Sequence, residues 1–387
     1  MSRMMRAQPL TTVGGLVFGL LLPGTAGAQA NLTLAEAPGA GRYASAVDGA
    51  RLLIDSLMRA NQIPGLSMAV SVRDEVVWSE GFGYADLELE SPVTTTTRFR
   101  IGSISKSLTA TALAQLYEQG ALDFDAPVQR YVPTFPQKRW PLTVRQVAGH
   151  IAGVRHYASD AEFLLNRRFE TVQEGLQLFQ GDTLLFEPGT QYLYSTFGWN
   201  LLSAVVEHAS GEEFLSYMRE HVFRPLRMRH TVADHVDSIV TGRTRFYVRA
   251  QDGVLVNAPA VDNSYKWAGG GFLSTPEDLL LFANAHLGSA FLRPETVTLL
   301  WTPQRTADGR ETGYGIGWRA AEIRGHQVVS HSGGSVGGNC LLLIYPDARV
   351  ALAVTANISN AGYGRVAHRI AELFLTAMPT GPGEESG

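Results

Sequence analysis

The chain has 387 residues, 45% of them apolar and 18% charged, so it can bury a substantial core and is not disordered. A formal net charge of −4, with no basic run, argues against a nucleic-acid surface. The single cysteine, Cys340, excludes an intrachain disulfide and a cysteine-rich metal site.

The first thirty residues read as a processing segment. Arg3 and Arg6 precede an apolar stretch from Val13 to Leu22 that is too short to span a bilayer, and Ala28-Gln29-Ala30 offers small residues for cleavage. This predicts a signal peptide over residues 1–30 and a periplasmic or secreted protein; the alternative is an uncleaved anchor. No later segment is long and apolar enough to cross a membrane. Residues 31–41 read as a loose linker, and residues 42–378 as one domain.

Within that domain, Val47, Ala50, Ile54, Leu57 and Met58 mark one face of a helix spanning Arg42 to Asn61. Two strands, Ser67–Val72 and Val76–Glu80, follow as a hairpin turning at Arg73-Asp74. A helix is expected from near Ser103 to Gln119, closed by Gly120. From about 121 to 310 the pattern is a mostly helical insertion. It has helical stretches at Asn200–His208, Glu212–Glu220 and Pro276–His286, and a hairpin at Tyr247–Ala250 and Val254–Asn257. Strands return at Gly315–Arg319, Gln327–Ser330, Cys340–Tyr345 and Val350–Thr355. An amphipathic helix carrying Val366, Ile370, Leu373 and Phe374 closes the domain, and residues 379–387 read as a disordered tail. Segregated helices and strands give an α+β fold, an antiparallel sheet shared by both ends of the domain.

The chemistry starts from a bias. There are three lysines, Lys106, Lys138 and Lys266, against 29 arginines. Arginine stays protonated, whereas an amine can be tuned to lose its proton. Lys106 stands three residues after Ser103, on the same helical face. The pair is a candidate base and nucleophile, with the helix N-terminus adding positive character. Alone, the Ser-x-x-Lys spacing also fits a solvated pair at a helix start. Tyr194, in Tyr194-Ser195-Thr196, is a candidate proton relay; it also reads as a half-buried aromatic. In the run His331-Ser332-Gly333-Gly334-Ser335-Val336-Gly337-Gly338, the Gly334 N–H is a candidate to join the Ser103 N–H as an oxyanion hole, with His331 lining the pocket. A lone histidine at a strand end is also commonly structural. Gly333 to Gly337 spell G-x-S-x-G, but a strand rather than a helix follows, so Ser335 reads as a loop residue. Lys266 is a candidate for a substrate carboxylate, or for a pair with Asp262. The spacings His150/His156 and His230/His235 do not suit zinc, and no metal or cofactor is expected.

In order, Ser103-x-x-Lys106, Tyr194-Ser195-Thr196 and His331-Ser332-Gly333 resemble the three motifs of class C β-lactamases and the related penicillin-binding and esterase proteins. Arg100 to Thr109, Tyr194 to Gly198 and Val261 to Thr275 resemble the mitochondrial serine β-lactamase-like branch of that family. The resemblance spans about Arg42 to Met378. It implies a β-lactamase/transpeptidase-like fold and an acyl-enzyme, with Ser103 as nucleophile, Lys106 as base and Tyr194 as relay. It sets Ser332, Gly333, Thr196 and Lys266 beside the substrate and puts His331 where a lysine is frequent. Thr196 stands where many relatives have asparagine. Both departures count against efficient β-lactam hydrolysis. His150-Ile151-Ala152-Gly153 resembles a loop that shapes the site and reads as structural.

The leading expectation is an exported serine peptidase acting on small peptide or acyl substrates. An esterase or weak β-lactamase would use the same residues, and a non-catalytic filament-forming or binding protein would keep the fold alone. A homo-oligomer is compatible with all three.

Overall fold

The computed structural model describes residues 41–378. The expected signal peptide, most of the linker and the tail from Pro379 lie outside the described residues.

Helix α1 (Ala44–Ala60) buries Ala46, Ala50, Ile54 and Leu57 along one stripe. Strands β1 (Gly65–Val72) and β2 (Glu75–Asp86) form the expected hairpin. Arg73 and Asp74 both take left-handed φ, +51° and +70°, the tight turn whose twist matches two antiparallel strands. After the short strand β3 (Ser91–Pro92) come three long helices: α2 (Ile104–Glu118), α3 (Thr196–Ser210) and α4 (Pro276–Leu287). The chain then returns through β4 (Arg319–Ile323), β5 (His326–Ser335), β6 (Gly338–Tyr345) and β7 (Val350–Ala356), and ends in α5 (Gly364–Thr376).

These strands make one antiparallel sheet of seven in the order β3-β2-β1-β7-β6-β5-β4. Its centre joins the two ends of the domain, from Leu66 opposite Ala356 to Val72 opposite Val350. Both faces are covered, so the side-chain period of two sorts each strand into two cores. Val350, Leu352 and Val354 of β7 meet α1 and α5, together with Ile54, Ile370 and Phe374. Ala351 and Ala353 face the other way, into the core containing Leu108, Leu113 and Phe282. Small residues on that face let α4 lie close on β1 and β7.

The region from 121 to 310 is less purely helical than its sequence suggests. Phe99–Arg100, Phe272–Ser274 and Val232–Ala233 pair into a second small sheet. The hairpin Tyr247–Arg249 with Leu255–Asn257 forms as expected. Two expectations near the C-terminus are corrected. Gly315–Arg319 is not a strand: Gly315 N–H donates to Trp318 O at 2.8 Å, Gly317 takes φ +76°, and pairing starts only at Arg319. The apolar run there reflects Tyr314, Ile316 and Trp318, each buried separately off the turn. Ser335 is not a loop residue either. It pairs with Gly338 in β5, and only Val336-Gly337 turns, Gly337 supplying φ +68°.

Leu352 is fully buried in the central strand. Leu352→Ala is expected to lower unfolding free energy by about 2–5 kcal/mol, read by urea denaturation. A loss under about 1 kcal/mol would contradict this assignment of the core.

Candidate active site

Two backbones meet where α2 begins. A Cβ added to Gly333 would fall 1.8 Å from Ile101 O, and one added to Gly102 would fall 2.5 Å from Gly334 O and 2.8 Å from Gly334 N. Gly102 also needs φ +49°. Glycines here allow β5 to run directly against the start of the helix. Ser103 is the N-cap, so its N–H belongs to the unpaired end of α2, on the side where Gly334 is exposed.

Lys106 is fully buried in the first turn of α2. Its Nζ lies 3.1 Å from Ser103 Oγ, 3.2 Å from Thr196 Oγ1 and 2.6 Å from Gly269 O. A neutral amine has two N–H groups and one lone pair. Threonine and the carbonyl can take the first two, leaving the lone pair for the serine hydroxyl. Burial pushes the lysine well below its usual range, and the positive charge of Lys266 pushes the same way.

The Tyr194-Ser195-Thr196 segment leads into α3. Ser195 Oγ caps the helix by accepting from Gly198 N–H at 2.9 Å. Two histidines hold the segment from outside it. His150 Nδ1 accepts the Ser195 N–H at 3.0 Å, and His156 Nδ1 accepts the Thr196 N–H at 3.1 Å. Both rings are therefore neutral with the proton on Nε2. Burial holds His150 well below the usual range, and burial with the nearby Lys106 charge brings His156 down to about 4. The His150 ring also lies 4.2 Å from the Tyr194 ring, centroid to centroid. Tyr194 is half-buried 4.9 Å from Lys106 Nζ, measured to its ring centroid. Burial raises its phenol, with the Ser103 hydroxyl pulling partly back.

Lys106, Thr196 and Ser103 thus meet in one hydrogen-bonded cluster, with the Tyr194 ring beside it. Others are placed differently from the sequence reading. His331 is buried, its Nε2 2.8 Å from Tyr314 Oη and its Nδ1 2.7 Å from Ser332 O. The ring is neutral, donating from Nδ1 and accepting at Nε2, and burial brings it down to about 3. It gives the cleft no cation. Ser332 and Gly334, the exposed neighbours on alternate positions of β5, face outward instead. Thr196 is buried against the lysine rather than turned to a substrate. Lys266 does not pair with Asp262, whose Oδ1 accepts the Ser264 N–H at 2.8 Å. Its buried Nζ sits among Tyr157, Phe163 and Tyr265, 5.6, 4.8 and 4.9 Å from their centroids. Burial, reinforced by Arg100 and opposed by Asp234, brings it down to about 7.

The Gly269 carbonyl carries no signal in the sequence; of the two histidines, His156 is weighed there only as a metal ligand, and His150 also as part of a structural loop that shapes the site. Nothing in their six-residue separation shows that both rings accept backbone N–H groups some forty residues away.

The beta-lactamase family model matches residues 50–375. The serine beta-lactamase-like protein LACTB, mitochondrial, of Homo sapiens is 34% identical over 86% of this chain and 80% of its own. Penicillin-binding protein 4* of Bacillus subtilis is 26% identical over 84% of this chain and 75% of its own. Among solved structures, the octameric penicillin-binding protein homologue from Pyrococcus abyssi superposes with a TM-score of 0.74 at 25% identity, covering 85% of this chain and 77% of that one. The D-amino acid amidase of Ochrobactrum anthropi shares the fold, with a TM-score of 0.75 at 22% identity over 86% of this chain and 99% of that one. The mitochondrial relatives overturn the expected periplasmic or secreted location.

With three lysines in the chain, selective 13Cε labelling gives three titrating NMR signals. Lys106 should titrate well below the ordinary range, and Lys266→Met should move it upward by removing a like charge. A Lys106 signal titrating near 10.5 in the folded protein would contradict the buried-amine geometry.

Proposed function

Because the chain belongs to the beta-lactamase family, we propose that it is a serine hydrolase that cleaves peptide amides through an acyl-enzyme on Ser103, with Lys106 as base. One observation carries the reading: a buried, downshifted amine stands 3.1 Å from the hydroxyl of the serine at the N-terminus of α2. The Ser103 Oγ–H proton passes to Nζ as the Oγ–C bond forms, and the carbonyl electron pair moves onto oxygen. The Ser103 and Gly334 N–H groups receive that oxyanion. The new ammonium has acceptors waiting in Thr196 Oγ1 and Gly269 O. Tyr194, kept protonated by its burial, donates to the leaving nitrogen as the C–N bond breaks and is reprotonated from Lys106. Water then releases the acyl group by the same steps in reverse.

The peptide preference rests on two features. Beyond Ser330, β5 no longer pairs with β4, so the exposed Ser332 and Gly334 offer a strand edge to an extended chain. His331 is neutral, so it supplies no charge for the carboxylate that a β-lactam carries. An esterase or weak β-lactamase remains the second reading, because ester and amide acyl transfer use the same groups. The octameric homologue supports a further proposal of self-association, read by sedimentation.

A fluorophosphonate probe should label wild-type protein on the Ser103 peptide, identified by mass spectrometry, and not label Ser103→Ala. Lys106→Met should slow labelling by about 10²–10⁴-fold. The base must be neutral, so wild-type labelling should fall as pH drops through the Lys106 pKa. A folded wild-type protein that resists the probe would favour a non-catalytic role. Turnover of peptide amides above matched esters and cephalosporins would support the peptidase reading, and the reverse order would replace it.

A further inference from the structure

A pocket of about 960 Å³ contains none of the residues assigned to acyl transfer. Six arginines line it, Arg98, Arg168, Arg219, Arg224, Arg227 and Arg229, against three glutamates, Glu170, Glu213 and Glu220. That local excess of positive charge stands in a chain whose net charge is −4. Arg168 pairs with Glu170 and Asp237, and Arg219 and Arg224 with Glu220, which leaves Arg98, Arg227 and Arg229 without a carboxylate partner among the described residues.

Arg98 is fixed in place without being neutralised. Its Nη1 and Nη2 donate to the carbonyls of Thr241 at 2.8 Å and Arg229 at 3.3 Å, while its buried Nε has no partner. Arg227 takes φ +58°, a conformation that costs a side-chain-bearing residue and fixes the turn between Arg224 and Arg229. The lining also carries apolar groups: Phe169, Phe223, Met228 and Phe272 back it as largely buried side chains, Ile239 is exposed, and the Trp267 ring lies 4.8 Å from that of His235. The volume lies within the range of small-molecule sites.

We infer that this pocket binds a long-chain acyl carboxylate, its headgroup held by Arg98, Arg227 and Arg229 and its tail laid on the aromatic wall. Guanidinium forks match a carboxylate in shape and charge. An apolar wall beside them selects an anion that carries a tail over a bare anion. The inference is independent of the acyl-transfer reading, since no reacting residue touches the pocket.

Calorimetry of laurate with the full chain tests it, with dodecanol as the tail-only probe and inorganic phosphate as the headgroup-only probe. Laurate should bind at least about tenfold more tightly than either, and more weakly as salt is raised. Replacing the exposed pair, Arg227→Gln with Arg229→Gln, should weaken laurate by about tenfold or more while probe labelling of Ser103 keeps its wild-type rate. Protein already phosphonylated on Ser103 should bind laurate unchanged. Absence of laurate binding, phosphate binding as tight as laurate, an unaffected double variant, or loss of laurate on phosphonylation would each overturn the assignment. The last outcome would place the fatty acid in the acyl cleft.

Discussion

The contact between two stretches of bare backbone, Ile101-Gly102 and Gly333-Gly334, fixes the rest of the site. With no Cβ in the way, the start of α2 lies directly on the face of β5 at Gly333-Gly334. That placement carries the following helical turn inward. Lys106 is buried because the seam is tight, and its chemistry follows from being buried. A methyl group at Gly333 would separate helix from strand and undo both effects together.

The electrostatics around that lysine are unusual in having so little opposite charge. Its neighbours are a threonine, a carbonyl, a tyrosine, neutral histidines and a second buried lysine. Family members that place a lysine at the third motif have a permanent cation there; here a neutral imidazole is locked between Tyr314 and a backbone carbonyl. Burying two amines with no acid within salt-bridge distance among the described residues costs stability, which the large apolar cores on either face of the sheet offset. A buried ion pair, Arg100 with Asp234 at 2.7 Å, serves the loop that carries Lys266 through Asn263, which also binds Asp234.

The sheet and its terminal helices were readable because their signals are local and periodic. α1 shows its stripe, and β6 and β7 are continuous apolar runs. Ser103 and Lys106 were readable for the same reason, since one helical turn fixes their relation. Failures came where burial does not follow a period. Tyr314, Ile316 and Trp318 bury one by one off a turn and imitate a strand. The glycines after His331 look like a loop, yet they continue a ladder, because their lack of side chains serves contact with α2 rather than flexibility. The roles of His150 and His156 depend on backbone N–H groups far along the chain, and no spacing within the sequence encodes that.

The central pairing of β1 with β7 has a consequence for how the chain is made. Residues 65–72 are among the first of the described region to leave the ribosome, yet their partner strand, 350–356, is among the last. Until then the opening hairpin has a hydrophobic open edge and the face opposite α1 uncovered. Loop closure over some 280 residues makes folding slow and late. Helix α2 therefore gains its floor only when synthesis of the described region is nearly finished.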